Sequence, residues 1–75
     1  MNNNNELIIQ PGDLVTLKGM VNIEEKPIGM VKKKLATNDI EIFWLNENIA
    51  KRFAVHKIYK HNKLEIVSKA NLQSP

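Results

Sequence analysis

The apolar residues of this sequence fall in short runs separated by polar turns. In the clearest run, residues 40–45, Ile40, Ile42 and Trp44 share one face of a predicted β-strand and Phe43 lies on the other. We expect Trp44 to pack in the core and Phe43 to be partly exposed. Three further runs rich in β-branched and apolar residues predict strands. They span residues 14–18, 28–35 and 64–67.

Turn-forming residues separate these strands. Pro-Gly-Asp at residues 11–13 opens the first strand, residues 19–27 form a long polar hairpin loop, and residues 36–39 form a tight connection. Within the second strand, the small Gly29 indicates either a β-bulge or a close backbone approach. A strand bent in this way suits a small barrel.

Residues 48–60 allow two interpretations. Residues 51–56 predict a fourth strand paired with the third, followed by a 3₁₀ turn at 57–60 and a connector at 61–63. Alternatively, Asn48 caps an amphipathic helix of about three turns, in which the apolar residues recur at helical spacing. These residues are Ile49, Ala50, Phe53, Ala54 and Ile58. We favour the strand, since a helix would leave the third strand without its hairpin partner and the sheet with an open apolar edge.

Four or five short strands at intervals of about 8 to 12 residues predict a mainly β fold, a small antiparallel barrel. The length of 75 residues allows one domain. We expect a flexible N-terminal segment at residues 1–10, the barrel at residues 11–67 and a C-terminal tail at residues 68–75.

Three motifs resemble those of SH3-like barrels of the KOW-related or Tudor-like kind. They are Pro-Gly-Asp-Leu-Val-Thr-Leu at 11–17, Ile-Gly-Met-Val at 28–31 and Leu-Glu-Ile-Val at 64–67. The resemblance covers residues 11–67 and implies an SH3-like fold of about five strands. Because the motifs consist of ordinary barrel-forming residues, they say little about function.

More narrowly, three motifs resemble short proteins encoded by tailed bacteriophages, notably those of marine bacteria. They are Gly-Asp-Leu-Val at 12–15, Ile-Gly-Met-Val at 28–31 and Ile-Phe-Trp-Leu at 42–45. This resemblance implies a small phage-encoded protein located in the host cytoplasm or in the virion. A component of the head, neck or tail is the specific role that it suggests.

The composition narrows the choice of partners. Eleven Lys and Arg residues against eight Asp and Glu residues give a net charge of +3, which favours acidic partners. Arg52 is the only arginine, and lysine is the poorer residue for bidentate recognition of bases or phosphates. No apolar run approaches the ~18 residues of a membrane span, so we predict no membrane association and a cytoplasmic location.

Candidate catalytic chemistry is sparse. The sequence has no cysteine, and its hydroxyl residues lie in no nucleophile motif, so we predict a non-enzymatic protein without cofactor. His56 and His61 lack a third ligand at a suitable spacing, so we predict no metal site. Its glycines are too widely spaced for a phosphate-binding loop.

The leading hypothesis is docking on a protein partner, either in a larger assembly or as a homo-oligomer. The expected contact residues lie in the loop at 19–27 and on the surface from 43 to 52. They are Met20, Ile23, Glu25, Phe43 and Arg52.

The alternative hypothesis is a KOW-like module that binds nucleic acid or modulates transcription. Its candidate residues are Lys32, Lys34, Lys51 and Arg52. Because side chains alternate along a strand, Lys33 should face away from Lys32 and Lys34, which leaves a stripe of two lysines at most. A solvated strand that resists edge-to-edge aggregation explains the same lysines without a ligand.

Overall fold

The computed structural model describes residues 8–53 and 56–70, and its strands form a single antiparallel sheet. The strands are β1 (Leu14–Leu17), β2 (Gly29–Lys34), β3 (Asp39–Trp44), β4 (Ile58–Lys60) and β5 (Leu64–Ser68), and the helix is α1 (Glu47–Phe53). Two 3₁₀ turns, Ala36–Asn38 and His61–Lys63, precede β3 and β5. The predicted mainly β fold of five short antiparallel strands is confirmed.

The order of the strands in the sheet is β4-β3-β2-β1-β5. The first four strands therefore form a meander, and the chain then returns so that β5 pairs with β1. In the described part of the chain, β4 and β5 form the two edges of the sheet. The β4 edge is a poor template for pairing with a strand of another molecule, since β4 is only three residues long and carries lysine at its end.

One face of the curved sheet buries the core. Alternate residues of the strands supply it, as the period of two in a strand requires. Its buried members are Ile9, Val15, Val31, Ile40, Ile42 and Leu64, against which Leu17, Trp44, Tyr59 and Ile66 pack. Because Ile9 belongs to this cluster, the packed unit extends beyond the predicted start of the barrel at residue 11.

Side chains of β3 occupy the space beside Gly29. A Cβ atom at this position would clash with Cγ2 of Ile42 and would lie 2.8 Å from Cε3 of Trp44. The described neighbours that require a small residue here are therefore side chains and not the backbone. The β-bulge lies further along the strand, where the pairing register shifts between Val31 and Lys33.

The prediction of a strand at residues 51–56 is wrong as far as residue 53, because α1 occupies this part of the chain; residues 54–55 lie outside the described residues. The helix begins at Glu47 and not after an Asn48 cap, with the carbonyl of Asn46 accepting hydrogen bonds from the N–H groups of Ile49 and Ala50. The apolar spacing that favoured a helix was the correct signal, and Ala50 is buried.

The segment after the helix also differs from the prediction. Ile58–Lys60 is strand β4 and not a 3₁₀ turn, whereas the predicted connector at 61–63 is a 3₁₀ turn. The reason given against a helix does not hold, because β4 supplies β3 with the hairpin partner that the helix was expected to displace. A longer connection between β3 and β4 is compatible with their pairing.

Asp13 joins the two ends of the described chain to the sheet. Its side chain is 0% exposed, and its carboxylate accepts hydrogen bonds from the N–H of Gln10 (2.8 Å), the N–H of Ala70 (2.7 Å) and the Nζ of Lys69 (2.8 Å). The same ammonium group donates to the carbonyl of Ile8 (2.7 Å). The packing thus also extends past residue 67, the predicted end of the barrel.

The hydrogen bonds decide the ionisation of Asp13. Burial alone would raise the pKa of its carboxyl group, but the donors from Ala70, Lys69 and Gln10 stabilise the anion and hold the pKa below the ordinary value of 3.8. Asp13 is therefore a buried carboxylate that remains charged at neutral pH.

The connection between β2 and β3 carries backbone strain. Thr37 and Asn38 both have a positive φ, 61° and 67°, and the N–H of Asp39 donates to the carbonyl of Ala36. Two central residues in the left-handed region define a type I′ turn, which matches the twist of a hairpin. A β-branched residue is a poor occupant of this region, so Thr37 lowers the stability of the hairpin.

We expect Asp13→Asn to lower the free energy of unfolding by about 2 to 3 kcal/mol at neutral pH, because the amide group faces donors that require an anion. A carboxyl group with a lowered pKa stabilises the fold fully above its ordinary pKa, and this contribution is lost as the pH falls through the lower pKa of the folded state. The difference between the two proteins should therefore shrink in acid. Urea unfolding over a series of pH values measures it, and a constant difference down to the acid region would contradict the assignment.

We expect Thr37→Asn to stabilise the protein by about 1 kcal/mol, because asparagine tolerates the left-handed conformation that strains threonine. Thr37→Val is the matched control, since it keeps the branched Cβ and should give no such gain. Thermal unfolding of the three proteins makes the comparison. Equal Tm values for the two variants would contradict this account of the turn.

Candidate docking groove

A groove of about 500 Å³ lies between the second half of β3 and the helix α1. It exists because β4 pairs with β3 only along the first three residues of β3, from Asp39 to Glu41. At the next residue, the N–H of Ile42 donates to the carbonyl of Lys57 (2.8 Å). Earlier in the sequence, residues 47–53 form α1 and not a strand beside β3. The remainder of β3 therefore faces a helix across open space.

The side-chain amide of Asn46 holds the start of α1 in position. Its Oδ1 accepts a hydrogen bond from the N–H of Ile28 (2.9 Å), and its Nδ2 donates to the carbonyl of Lys26 (2.9 Å). The N–H of Leu45 also donates to the carbonyl of Ile28 (2.8 Å). These three hydrogen bonds attach the turn between β3 and α1 to the end of the β1–β2 loop.

The apolar lining of the groove comes from both walls. Ile42, Phe43 and Trp44 of β3 and Ala50 of α1 contribute to it. Phe43 is 55% exposed, whereas Trp44 packs against the core and contacts Tyr59 edge-to-face at 6.1 Å between ring centroids. The predicted difference between an inner Trp44 and a partly exposed Phe43 is confirmed.

Five charged side chains border the apolar lining. They are Lys32, Glu41, Glu47, Lys51 and Lys57. Only Lys32 and Glu41 form an ion pair within this set, with 3.7 Å between Nζ and Oε2. The rim of the groove therefore combines three cations with two carboxylates, and two of the cations, Lys51 and Lys57, have no carboxylate within 4 Å in the described part of the chain.

The bulge in β2 rearranges the lysine run. Lys33 pairs in register with Glu41, the residue that Lys32 contacts through its side chain, so both lysines lie opposite the same carboxylate. The prediction that Lys33 faces away from Lys32 is wrong, because the register shift interrupts the alternation on which it relied. Lys34 instead pairs in register with the core residue Ile40 and does not line the groove.

The structure brings together some of the predicted binding residues and separates others. Phe43, Lys32 and Lys51 line the groove. Arg52 follows Lys51 on α1, with its guanidinium 5.7 Å from the centroid of the Phe53 ring. The three predicted residues of the β1–β2 loop do not line the groove. They are Met20, Ile23 and Glu25.

Three groove residues were not among the predicted site residues: Glu47, Ala50 and Lys57. Glu47 and Ala50 reach the groove because residues 47–53 are helical, and Lys57 reaches it through the bond between its carbonyl and Ile42. The signal that identifies the first two is the helical spacing of Ile49, Ala50 and Phe53. No pattern in the sequence indicates the position of Lys57.

The two histidines lie apart from the groove lining. His56 is exposed and contacts Tyr59 at 5.7 Å between ring centroids, and His61 begins a 3₁₀ turn. Within residues 8–53 and 56–70, no three His, Asp or Glu side chains are grouped so as to hold a metal ion. Over the same residues, no helix combines the length and apolar character needed to cross a membrane.

Comparison with known proteins adds no identification: no protein-family model, no curated protein and no solved structure is significantly similar to this chain. The geometry of the groove is therefore the basis for a functional proposal.

We expect Trp44→Phe and Phe43→Ser to have different effects on stability, because the two residues lie on opposite faces of β3. Trp44→Phe removes the hydrogen bond from Nε1 to the carbonyl of His56 (2.7 Å) and should cost about 1 to 2 kcal/mol. Phe43→Ser alters an exposed side chain and should change stability by no more than about 0.5 kcal/mol. Urea unfolding followed by circular dichroism tests both, and a larger loss for Phe43→Ser would contradict the assigned faces.

Proposed function

We propose that this protein is a non-enzymatic SH3-like module that docks a segment of a partner protein in the groove between β3 and α1. The observation that carries this proposal is the exposure of Phe43 within a partly apolar groove. A large apolar side chain held in water at a concave site contributes binding free energy when a partner covers it.

The connectivity supports the SH3-like part of the proposal. Curling of a sheet with the order β4-β3-β2-β1-β5 brings β4 towards β5, which is the closure that a small antiparallel barrel needs. The short β4 and the tight turn before β5 place the two edge strands in succession. These features agree with the resemblance of residues 11–67 to SH3-like barrels.

The resemblance of three short motifs to phage proteins extends the proposal to a biological setting. In that setting the protein is phage-encoded and docks within a larger assembly, such as the head, neck or tail of the virion. The motifs alone support this setting, and the groove supplies the surface through which such a protein would be held.

Nucleic-acid binding is the second candidate function, and the cations beside the groove favour it. Lys32 and Lys51 line the same groove as the exposed ring of Phe43, and cations beside an aromatic ring are a combination that binds single strands. The two carboxylates of the rim oppose it, since a phosphate backbone would pass Glu41 and Glu47. Protein docking therefore fits the groove better.

Site-specific photo-crosslinking distinguishes these functions. A benzophenone side chain replaces Phe43, and separate controls carry it at Ile23 in the predicted loop site and at Asn62, which is exposed outside the groove. Each protein is irradiated in native or infected-cell lysate, with and without nuclease and high salt. Docking in the groove predicts one protein adduct at position 43 that survives both treatments and is absent at position 62.

Two results would contradict the proposed site. An adduct confined to position 23 would move docking to the β1–β2 loop, as the sequence also suggested. Loss of every adduct after nuclease treatment would instead support nucleic acid, for which binding falls steeply with salt.

A further inference from the structure

Cations outnumber carboxylates at the rim of the groove. Three lysines and two glutamates line it: Lys32, Lys51, Lys57, Glu41 and Glu47. Lys32 and Glu41 form an ion pair with each other. The charges that are left beside the groove are therefore Lys51 and Lys57 against the single carboxylate of Glu47, and they favour an acidic partner.

Two lysines away from the groove are held in ion pairs. Lys60 forms an ion pair with Asp39 at 3.0 Å, and Lys69 forms one with Asp13 at 2.8 Å. Beside the groove, Lys51, Arg52 and Lys57 have no carboxylate within 4 Å among the described residues. These three cations are available to a partner without first breaking an internal ion pair.

The two carboxylates of the rim restrict the kind of acidic partner. A nucleic acid has a phosphate at every step and would bring some of them close to Glu41 or Glu47. A polypeptide can place carboxylates beside Lys51 and Lys57 and neutral residues beside the glutamates. A polypeptide also offers a large apolar side chain to cover Phe43 and Ala50 at the apolar lining.

We propose that the groove binds an acidic segment of a partner protein, in which one large apolar residue packs against Phe43 and flanking carboxylates pair with Lys51 and Lys57. This inference rests on the proposed docking function and specifies the chemistry of the partner. The apolar contact supplies affinity, and the cations select acidic sequences and accelerate association.

Selection from a yeast-displayed library of short random peptides tests the proposal on the full chain. Trp44 is the only tryptophan and lines the groove, so its fluorescence reports whether a selected peptide, synthesised without tryptophan, occupies that site. We expect enriched peptides to carry Asp or Glu on either side of an aliphatic or aromatic residue and to shift the Trp44 emission.

Charge reversal provides the matched variants. Lys51→Glu with Lys57→Glu should weaken binding of an enriched peptide by at least about tenfold, since attraction is replaced by repulsion. Lys18→Glu with Lys63→Glu makes the same change in net charge away from the groove and should weaken binding by no more than about twofold. Phe43→Ser should also abolish most of the affinity.

The outcomes separate this inference from the proposed function. Enriched peptides that shift Trp44 emission but are neutral or basic would overturn the acidic partner and leave docking in the groove intact. Equal losses in the two charge-reversal variants would overturn it as well. If no peptide is enriched and a single-stranded oligo-dT shifts the emission instead, both the acidic segment and protein docking are overturned in favour of nucleic acid.

Discussion

The fold depends on one buried carboxylate. Asp13 directly precedes β1 and is 0% exposed. Its carboxylate accepts hydrogen bonds from Gln10, which comes before β1, and from Lys69 and Ala70, which follow β5. A sheet of five short strands buries little apolar surface and contains no disulfide, so hydrogen bonds that hold its edges to the rest of the fold contribute much to its stability. Through these bonds the segment carrying the core residue Ile9 and the end of β5 become part of one packed unit.

The groove follows from the shortness of β4. With only three residues, β4 covers the first half of β3 and leaves the edge of β3 at Phe43 and Trp44 without a strand beside it on that side, within the described residues. Asn46 links the start of the helix to the β1–β2 loop through two hydrogen bonds, and the groove lies between the strand edge and the helix. The same arrangement brings Lys51 and Lys57 to one rim, and it is this placement, more than the modest net charge, that suggests an acidic partner.

The sequence predicted much of the sheet and only part of the groove. Alternation from Ile40 to Trp44 correctly separated the buried face of β3 from exposed Phe43, because burial on one side of a strand leaves a period of two. The segment from 47 to 53 was mispredicted because a strand there was the simplest hairpin partner for β3, whereas the chain supplies that partner later as β4. The spacing of apolar residues indicates a helix locally, but it does not show which later segment pairs with β3.

By itself the sequence determined the positions of β1, β2, β3 and β5 and the tight turn at residues 36–39, since these depend on neighbouring side chains and local backbone conformation. Tertiary structure alone decided the bulge that places Lys32 and Lys33 opposite Glu41, the burial of Asp13 and the approach of Lys57 to Ile42. Each of these joins residues distant in the chain, and pairing between distant segments is set by the geometry of the whole sheet.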